Sequence, residues 1–172
     1  MPPSFDATFA AEFPPLHRYL ARRVGASAAD DLAAETFVVA FRNWGKLDPE
    51  RAVRPWLYGI AANVMRHHWR KERRMLRAYA RTGVDPVFAE DDDAAERADA
   101  SGRRRELADM LATLSRDERE ILLLHAWAGL TDTEIAEALS LPIGTMKSRF
   151  SRTREKLRNQ LGEVGQEAVE AL

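Results

Sequence analysis

Thr131-Asp132-Thr133-Glu134-Ile135-Ala136-Glu137-Ala138-Leu139-Ser140-Leu141-Pro142-Ile143-Gly144-Thr145-Met146-Lys147-Ser148-Arg149-Phe150 reads as two helices joined by a tight turn. Thr131 with Glu134 three residues on makes a capping box, in which each side chain takes one orphan N–H of the helix start. Ile135, Ala136 and Leu139 share a face, and Ala136 is small enough for a close helix crossing. Ser140-Leu141 supplies the turn, and Pro142 suits a first helical turn, where a missing N–H costs nothing. The second helix is expected to bury Ile143, Met146, Phe150, Thr153 and Leu157. At about 100° per residue these five fall within about 80° of arc. Gly144, Ser148, Ser151, Arg152 and Glu155 face the other way, with Lys147 and Arg149 at the shoulders. Polar donors on a second helix are what major-groove readout requires. Arg and Lys can bond guanine O6/N7, and Ser can bond several base edges or phosphate. Gly144 would let the backbone come close to DNA. A plain helical hairpin with a basic second helix would give part of the same pattern.

Outward toward the N-terminus, Ser115-Arg116-Asp117-Glu118 is a second capping box. It starts a helix holding Ile121, Leu122, Leu124, His125 and Trp127, with Gly129 as its stop. Leu107, Met110, Leu111 and Leu114 form an amphipathic helix ahead of it, from about Arg103. From Thr82 to Gly102 helical patterning fails, and Gly83, Pro86 and Asp91-Asp92-Asp93 mark a linker. Further upstream a helix from Ser4 or Asp6 to Val24 is expected to break or restart at Pro14-Pro15 and to stop at Gly25. Ser27 to Asp31 begins the next, which carries Leu32, Ala33, Thr36, Phe37, Val39, Ala40, Phe41 and Trp44 and stops at Gly45. A turn at Asp48-Pro49-Glu50 leads to a helix from about Pro55 to Arg74, with Trp56 and Leu57 in its core face. The fold class is therefore all-α: two small helical domains joined by a flexible acidic linker, the second a helix-turn-helix domain. The divisions are 1–81, a linker 82–102, 103–161 and a short tail 162–172.

The 172 residues are 45% hydrophobic and 31% charged, which suffices for a core. No apolar run nears the roughly 18 residues of a membrane span. Met1-Pro2-Pro3-Ser4-Phe5-Asp6 lacks the features of a secretory signal. Cysteine is absent, which excludes disulfides and thiolate metal sites. Together these predict a cytoplasmic protein. Net charge is only -1, but it is segregated. Arg66 to Arg81 holds seven bases against Glu72, Asp85 to Asp99 seven acids against Arg97, and Lys147 to Arg158 six bases against Glu155. Two basic blocks split by an acidic one suggest two contacts on one polyanion, though each alone could be a solvated surface.

The run from Leu130 to Leu139, continued by Leu141 to Arg149 and Arg152 to Leu157, resembles region 4 of bacterial sigma factors. Response-regulator DNA-binding domains share much of that pattern. The N-terminal half adds Asp31-Leu32-Ala33-Ala34-Glu35-Thr36-Phe37-Val38-Val39-Ala40-Phe41-Arg42, similar to the part of sigma region 2 that grips the polymerase clamp helices. Arg54-Pro55-Trp56-Leu57-Tyr58-Gly59-Ile60-Ala61-Ala62-Asn63 resembles the segment that enters the melted promoter. Two such domains with none between them resemble the extracytoplasmic-function (ECF) group. Family members usually carry Gln at the position of Ala34, and Asp or Asn is common at that of His67.

The resemblance implies a non-enzymatic factor that joins RNA polymerase core and directs promoter-specific initiation. Its partners would be the clamp helices of the largest subunit, the flap of the second-largest, promoter DNA and an anti-sigma factor, with no membrane and no cofactor. Gly144, Thr145, Lys147, Ser148, Ser151 and Arg152 would read the -35 element as duplex. Asn63, with donor and acceptor, and His67 would hold a flipped base of the -10 element, Tyr58 shaping the pocket. Arg66, Arg70, Lys71, Arg73 and Arg74 would hold phosphates. Trp69 would stack on a base or pack on its helix. Asp31, Glu35, Phe37, Phe41, Arg42 and Trp44 would meet polymerase, although the two phenylalanines could equally be core. The acidic linker would either pass through the polymerase cleft or serve as a plain spacer. No metal is expected: His67 and His68 point about 100° apart on a helix, and His17 and His125 lack a partner at ligand spacing. The alternative is a two-domain regulator with a sensory N-terminal half that works without polymerase core. An enzyme ranks third, with no catalytic constellation in the sequence.

Overall fold

The computed structural model describes residues 4–48, 50–82, 111 and 113–170. Six α-helices and one short 3-10 turn carry the described residues, and no strand occurs among them. Thr82, the first residue of the expected linker, ends α3; the rest of that linker, and Leu107 and Met110 of the helix before the second capping box, lie outside the described residues.

α1 runs from Phe5 to Val24, capped by Ser4, whose Oγ accepts from Ala7 N at 3.2 Å. Pro14 and Pro15 lie inside it, so the expected break does not occur. The carbonyls that lose their N–H partners belong to Ala10 and Ala11, both exposed and open to water. Leu16, Tyr19 and Leu20 are buried just beyond the pair and hold the helix on its course. Gly25, at φ 84°, ends α1 as its position suggested. α2, Ala26–Asn43, buries Ala29, Leu32, Ala33, Thr36, Phe37 and Ala40 at helical spacing. It passes into the 3-10 turn Trp44–Lys46. Asp48 then caps a turn through Glu50 N at 3.0 Å. α3, Val53–Thr82, is longer than its apolar stripe implied. Its second half carries the basic block counted from Arg66 to Arg81.

α4, Arg116–Ala128, and α5, Asp132–Ala138, both begin with complete capping boxes. Gly129 adopts the left-handed conformation at φ 64° and closes α4. Ser140 takes φ 53° in the tight turn after α5. α6 spans Ile143–Glu170, so the backbone of the expected tail from residue 162 continues the helix. Met146, Phe150, Thr153 and Leu157 are buried as expected, but Ile143 is exposed. It sits in the first turn of α6.

α1, α2 and α3 pack as one layer, α4, α5 and α6 as another. The buried side chains of both join into a single core cluster. The junction is direct: α3 crosses α5 and α1 touches α4. A Cβ placed on Gly59 of α3 would lie 2.5 Å from the Ala138 carbonyl oxygen, so the two helix backbones meet there. Arg54 Nη2 donates to the Ala128 carbonyl at 2.7 Å, and Arg51 Nε to Glu137 Oε1 at 2.7 Å.

Thr131→Ala removes one half of the α5 capping box and should destabilise the protein by about 1 kcal/mol, measured by urea unfolding. An unchanged midpoint would show the box to be dispensable.

Candidate nucleic-acid and polymerase interface

The exposed face of α6 is set by the buried one. With Met146, Phe150, Thr153 and Leu157 held in the core, Gly144, Lys147, Ser148, Ser151 and Arg152 are left exposed and Thr145 half-buried. An added Cβ at Gly144 meets nothing within 4 Å, so packing inside the chain does not demand glycine there. Among the described residues, Arg152 Nε and Ser148 Oγ bond only to backbone carbonyls of their own helix, at 3.3 and 3.1 Å. Those bonds can be exchanged for a base or phosphate.

The shoulders of α6 behave differently. Arg149 Nη1 pairs with Asp117 at 2.6 Å, and Lys156 Nζ with Glu118 at 2.7 Å. Both acids lie in the first turn of α4, so two of the six bases counted in this block anchor the recognition helix. Glu118 also accepts from Ser115 N at 2.8 Å. The Lys156 ammonium, aided by that backbone bond, holds its carboxyl down at about 2.

On α3, Asn63, His67, Arg70 and Lys71 are exposed and Arg66 half-buried. Asn63 Oδ1 accepts from Arg66 Nη1 at 2.9 Å, and among the described residues its amide N–H groups make no bond. Arg73 and Arg74 lie on α3, with side chains outside the described residues. Tyr58 departs from expectation. It is fully buried, its ring 5.4 Å from that of Tyr19. Five residues of helix turn it roughly 140° from Asn63, so it faces the core rather than a pocket beside that residue. Burial pushes its phenol above the ordinary range. Trp69 is half-buried against the core, with the Arg23 guanidinium 5.0 Å from its ring, which favours the packing role.

On α2, Asp31, Glu35, Phe41 and Arg42 are exposed. Phe37 is buried, enclosed by Phe9 at 4.8 Å and Phe13 at 5.8 Å between ring centroids, and so is core rather than contact surface. Trp44 is half-buried, edge-on to Phe5 at 5.3 Å. Phe41 is 66% exposed and is joined at the surface by Val38 and Phe9. Sequence reasoning missed Phe9, because α1 showed no motif of its own; only its packing against Phe37 places it here. A groove brings Asp31 and Glu35 together with His67, His68, Arg70 and Lys71, so the α2 face borders the basic half of α3. His17 bonds Asp30 at 2.7 Å, a partner thirteen residues away that spacing did not reveal. Among the described residues no helix is long and apolar enough to cross a membrane.

Residues 8–75 match the family Sigma-70 region 2, and residues 104–157 match Sigma-70, region 4. The chain is 36% identical to the RNA polymerase sigma factor CarQ of Myxococcus xanthus, over 94% of this chain and 91% of that protein. This chain is an RNA polymerase sigma factor of the ECF group. The ECF RNA polymerase sigma factor SigC of Mycobacterium tuberculosis is 33% identical over 81% of the chain and 74% of its own length. Among solved structures, CnrH in complex with the cytosolic domain of CnrY superposes with a TM-score of 0.65 at 25% identity, covering 91% of this chain and 86% of that one. RpoE in complex with the anti-sigma factor NepR from Bartonella quintana shares the fold, with a TM-score of 0.66 at 23% identity, covering 91% and 96%. A sigma region 2 in the N-terminal half removes the alternative of a sensory domain there. In this sigma factor the α2 face, Asn63 to Lys71 of α3 and Gly144 to Arg152 of α6 all fall within the matched regions.

Glu118 titrates lower in the folded chain than when unfolded, so its contribution is present above about pH 4.5 and is lost as pH falls toward 2. Urea unfolding at pH 6 and pH 3 should show a smaller loss of stability in Glu118→Gln than in the parent. Equal losses would remove Glu118 from the account.

Proposed function

We propose that this sigma factor reads its promoter through two separate faces and joins polymerase through a third, acting by binding without covalent catalysis, in the cytoplasm. What carries the reading is the row Gly144, Lys147, Ser148, Ser151 and Arg152, exposed along one side of a helix whose other side is locked in the core. A rigid helix presenting donors in this way suits the major groove of the -35 element. Asn63 and His67 take the -10 element as separated strand, Asn63 through the amide hydrogens that Arg66 leaves unused. Arg70 and Lys71 add phosphate contacts that are sequence-blind and weaken with salt.

The α2 face docks on the clamp helices of polymerase. Phe41, Val38 and Phe9 supply the apolar centre, and Asp31, Glu35 and Arg42 a charged rim. Phe37 and Trp44 act from beneath by fixing this surface. Region 4 is the part that would meet the flap of the second-largest subunit. The relatives solved with CnrY and with the anti-sigma factor NepR support an anti-sigma protein as a further partner here.

Arg152→Ala should weaken transcription from the cognate promoter by about 1–3 kcal/mol in apparent binding and relax selection at one -35 base pair, read by in vitro transcription across a promoter library. Full-strength transcription with unchanged selectivity would remove Arg152 from the base-reading set. Phe41→Ala should lower affinity for polymerase core, measured by fluorescence anisotropy, without altering helical content. Unchanged affinity would place the polymerase contact elsewhere.

A further inference from the structure

A crevice of about 220 Å³ opens where Arg22 and Arg23 of α1, Trp69 of α3, and Arg119, Leu123 and Trp127 of α4 come together. None of the side chains proposed above for promoter or polymerase contact lines it. Its chemistry differs from that of the grooves along the basic helices. The groove between α2 and α3 sets Asp31 and Glu35 against its bases. The groove beside α6 sets Asp132 and Glu155 against Lys147, Arg154 and Arg158. Here three guanidiniums meet two indoles, and among the described residues no carboxylate lines the crevice.

The three arginines are not equivalent. Arg23 is neutralised: its Nη1 and Nη2 bond Glu120 Oε1 and Oε2 at 2.6 and 2.9 Å, and the two side chains are 2% and 10% exposed. Arg119 is held in place without being neutralised. Its Nε donates to the Leu111 carbonyl at 2.9 Å and its Nη2 to the Leu114 carbonyl at 3.2 Å. Neither acceptor carries a charge, and among the described residues Arg119 Nη1 makes no bond. Arg22 is exposed and has no ion pair or hydrogen bond among the described residues. Two uncompensated cations on one crevice attract an anion. Arg119, immobilised beforehand, loses little side-chain freedom in binding it. Trp127 is half-buried, and among the described residues its indole N–H also makes no bond. A buried indole N–H ordinarily finds an acceptor, and the ring beside it offers a flat apolar face.

We propose that this crevice binds a small phosphate-bearing aromatic molecule, of the class of nucleoside mono- and diphosphates. The phosphate lies on Arg22 and Arg119 Nη1, through charge-assisted bonds. The base stacks on Trp127, whose N–H bonds the phosphate or a base edge. A bare phosphate would leave the indoles unused, and an uncharged ring would leave the guanidiniums unused. The volume admits one ring system with its phosphate at the rim and not a stacked row of bases, which favours a free nucleotide over a nucleic-acid strand. Binding here requires neither promoter nor polymerase, so the isolated full chain suffices for its test.

The chain has four tryptophans, and Trp44 and Trp56 do not line the crevice. Tryptophan emission is followed while AMP, ADP, GMP, GDP, adenosine or inorganic phosphate is added, with calorimetry alongside. A nucleotide should quench the emission saturably, with half its effect below about 1 mM. Adenosine and inorganic phosphate at the same concentrations should bind far more weakly. Arg22→Ala, which removes an exposed side chain without a partner, should weaken nucleotide binding about tenfold with helical content unchanged. Trp127→Leu should abolish most of the quenching. Arg158→Ala, an exposed base outside the crevice, should bind as the parent does. Absence of saturable quenching and of calorimetric binding by all four nucleotides would overturn the proposal. So would an affinity unchanged in Arg22→Ala, or an equal loss in Arg158→Ala, which marks diffuse charge attraction. Inorganic phosphate binding as tightly as the nucleotides would reduce the crevice to a bare anion site and overturn the aromatic half. A single-stranded oligonucleotide that binds more tightly than any nucleotide, and loses affinity in Arg22→Ala, would assign the crevice to nucleic acid instead.

Discussion

A guanidinium withdrawn from water must find a carboxylate, and Arg23 finds Glu120 across 97 residues of chain. That pair lies where α1 meets α4, and the rest of the assembly is arranged so that it can form. Tyr19 is buried beside it, and its hydroxyl titrates well above the ordinary phenol range, raised first by burial and then by the Glu120 charge. Arg23, already flanked by two aromatic faces, fills the space between Tyr19 and Trp69. Along α3 the halves also meet closely, backbone against backbone at Gly59 and through Arg51 and Arg54 nearby. A polar lock and a close backbone crossing differ in kind: the lock gives register, and the crossing gives proximity.

The recognition helix shows how one element can be both rigid and available. Its core side is held by Met146, Phe150, Thr153 and Leu157, and its shoulders by ion pairs to the first turn of α4. The same turn carries the capping box that starts α4. Glu118 therefore takes part in helix initiation and in the docking of α6 at once, and this double use explains its low titration. Ser148 and Arg152 on the exposed side of α6 bond, among the described residues, to carbonyls of their own helix.

Much of this was legible in the sequence. Both capping boxes, the stops at Gly25 and Gly129, and the helix-turn-helix follow from local chemistry, which acts within four residues and needs no neighbour. The exposure of Lys147, Ser148, Ser151, Arg152, Asn63 and Lys71 follows from helical periodicity. Periodicity misled at Tyr58, where a helix with apolar neighbours on several sides offered no single inward direction; the proline rule misled at Pro14-Pro15, which lie inside α1 with Leu16, Tyr19 and Leu20 buried just beyond them. Ile143 carries the period of the core face, yet in the first turn of its helix it stays 43% exposed.

By itself the sequence determined the helices, their ends and the two motif-bearing halves, because propensity, capping and the spacing of apolar side chains are short-range. It also determined the family, through two motifs in order. Only the tertiary structure decided that Phe37 is core while Phe41, Val38 and Phe9 form the surface above it. Only the tertiary structure paired Arg23 with Glu120 and set Gly59 against Ala138. Those contacts join residues dozens of positions apart, and no local pattern marks one arginine among the chain's many bases as the one that will lose its water.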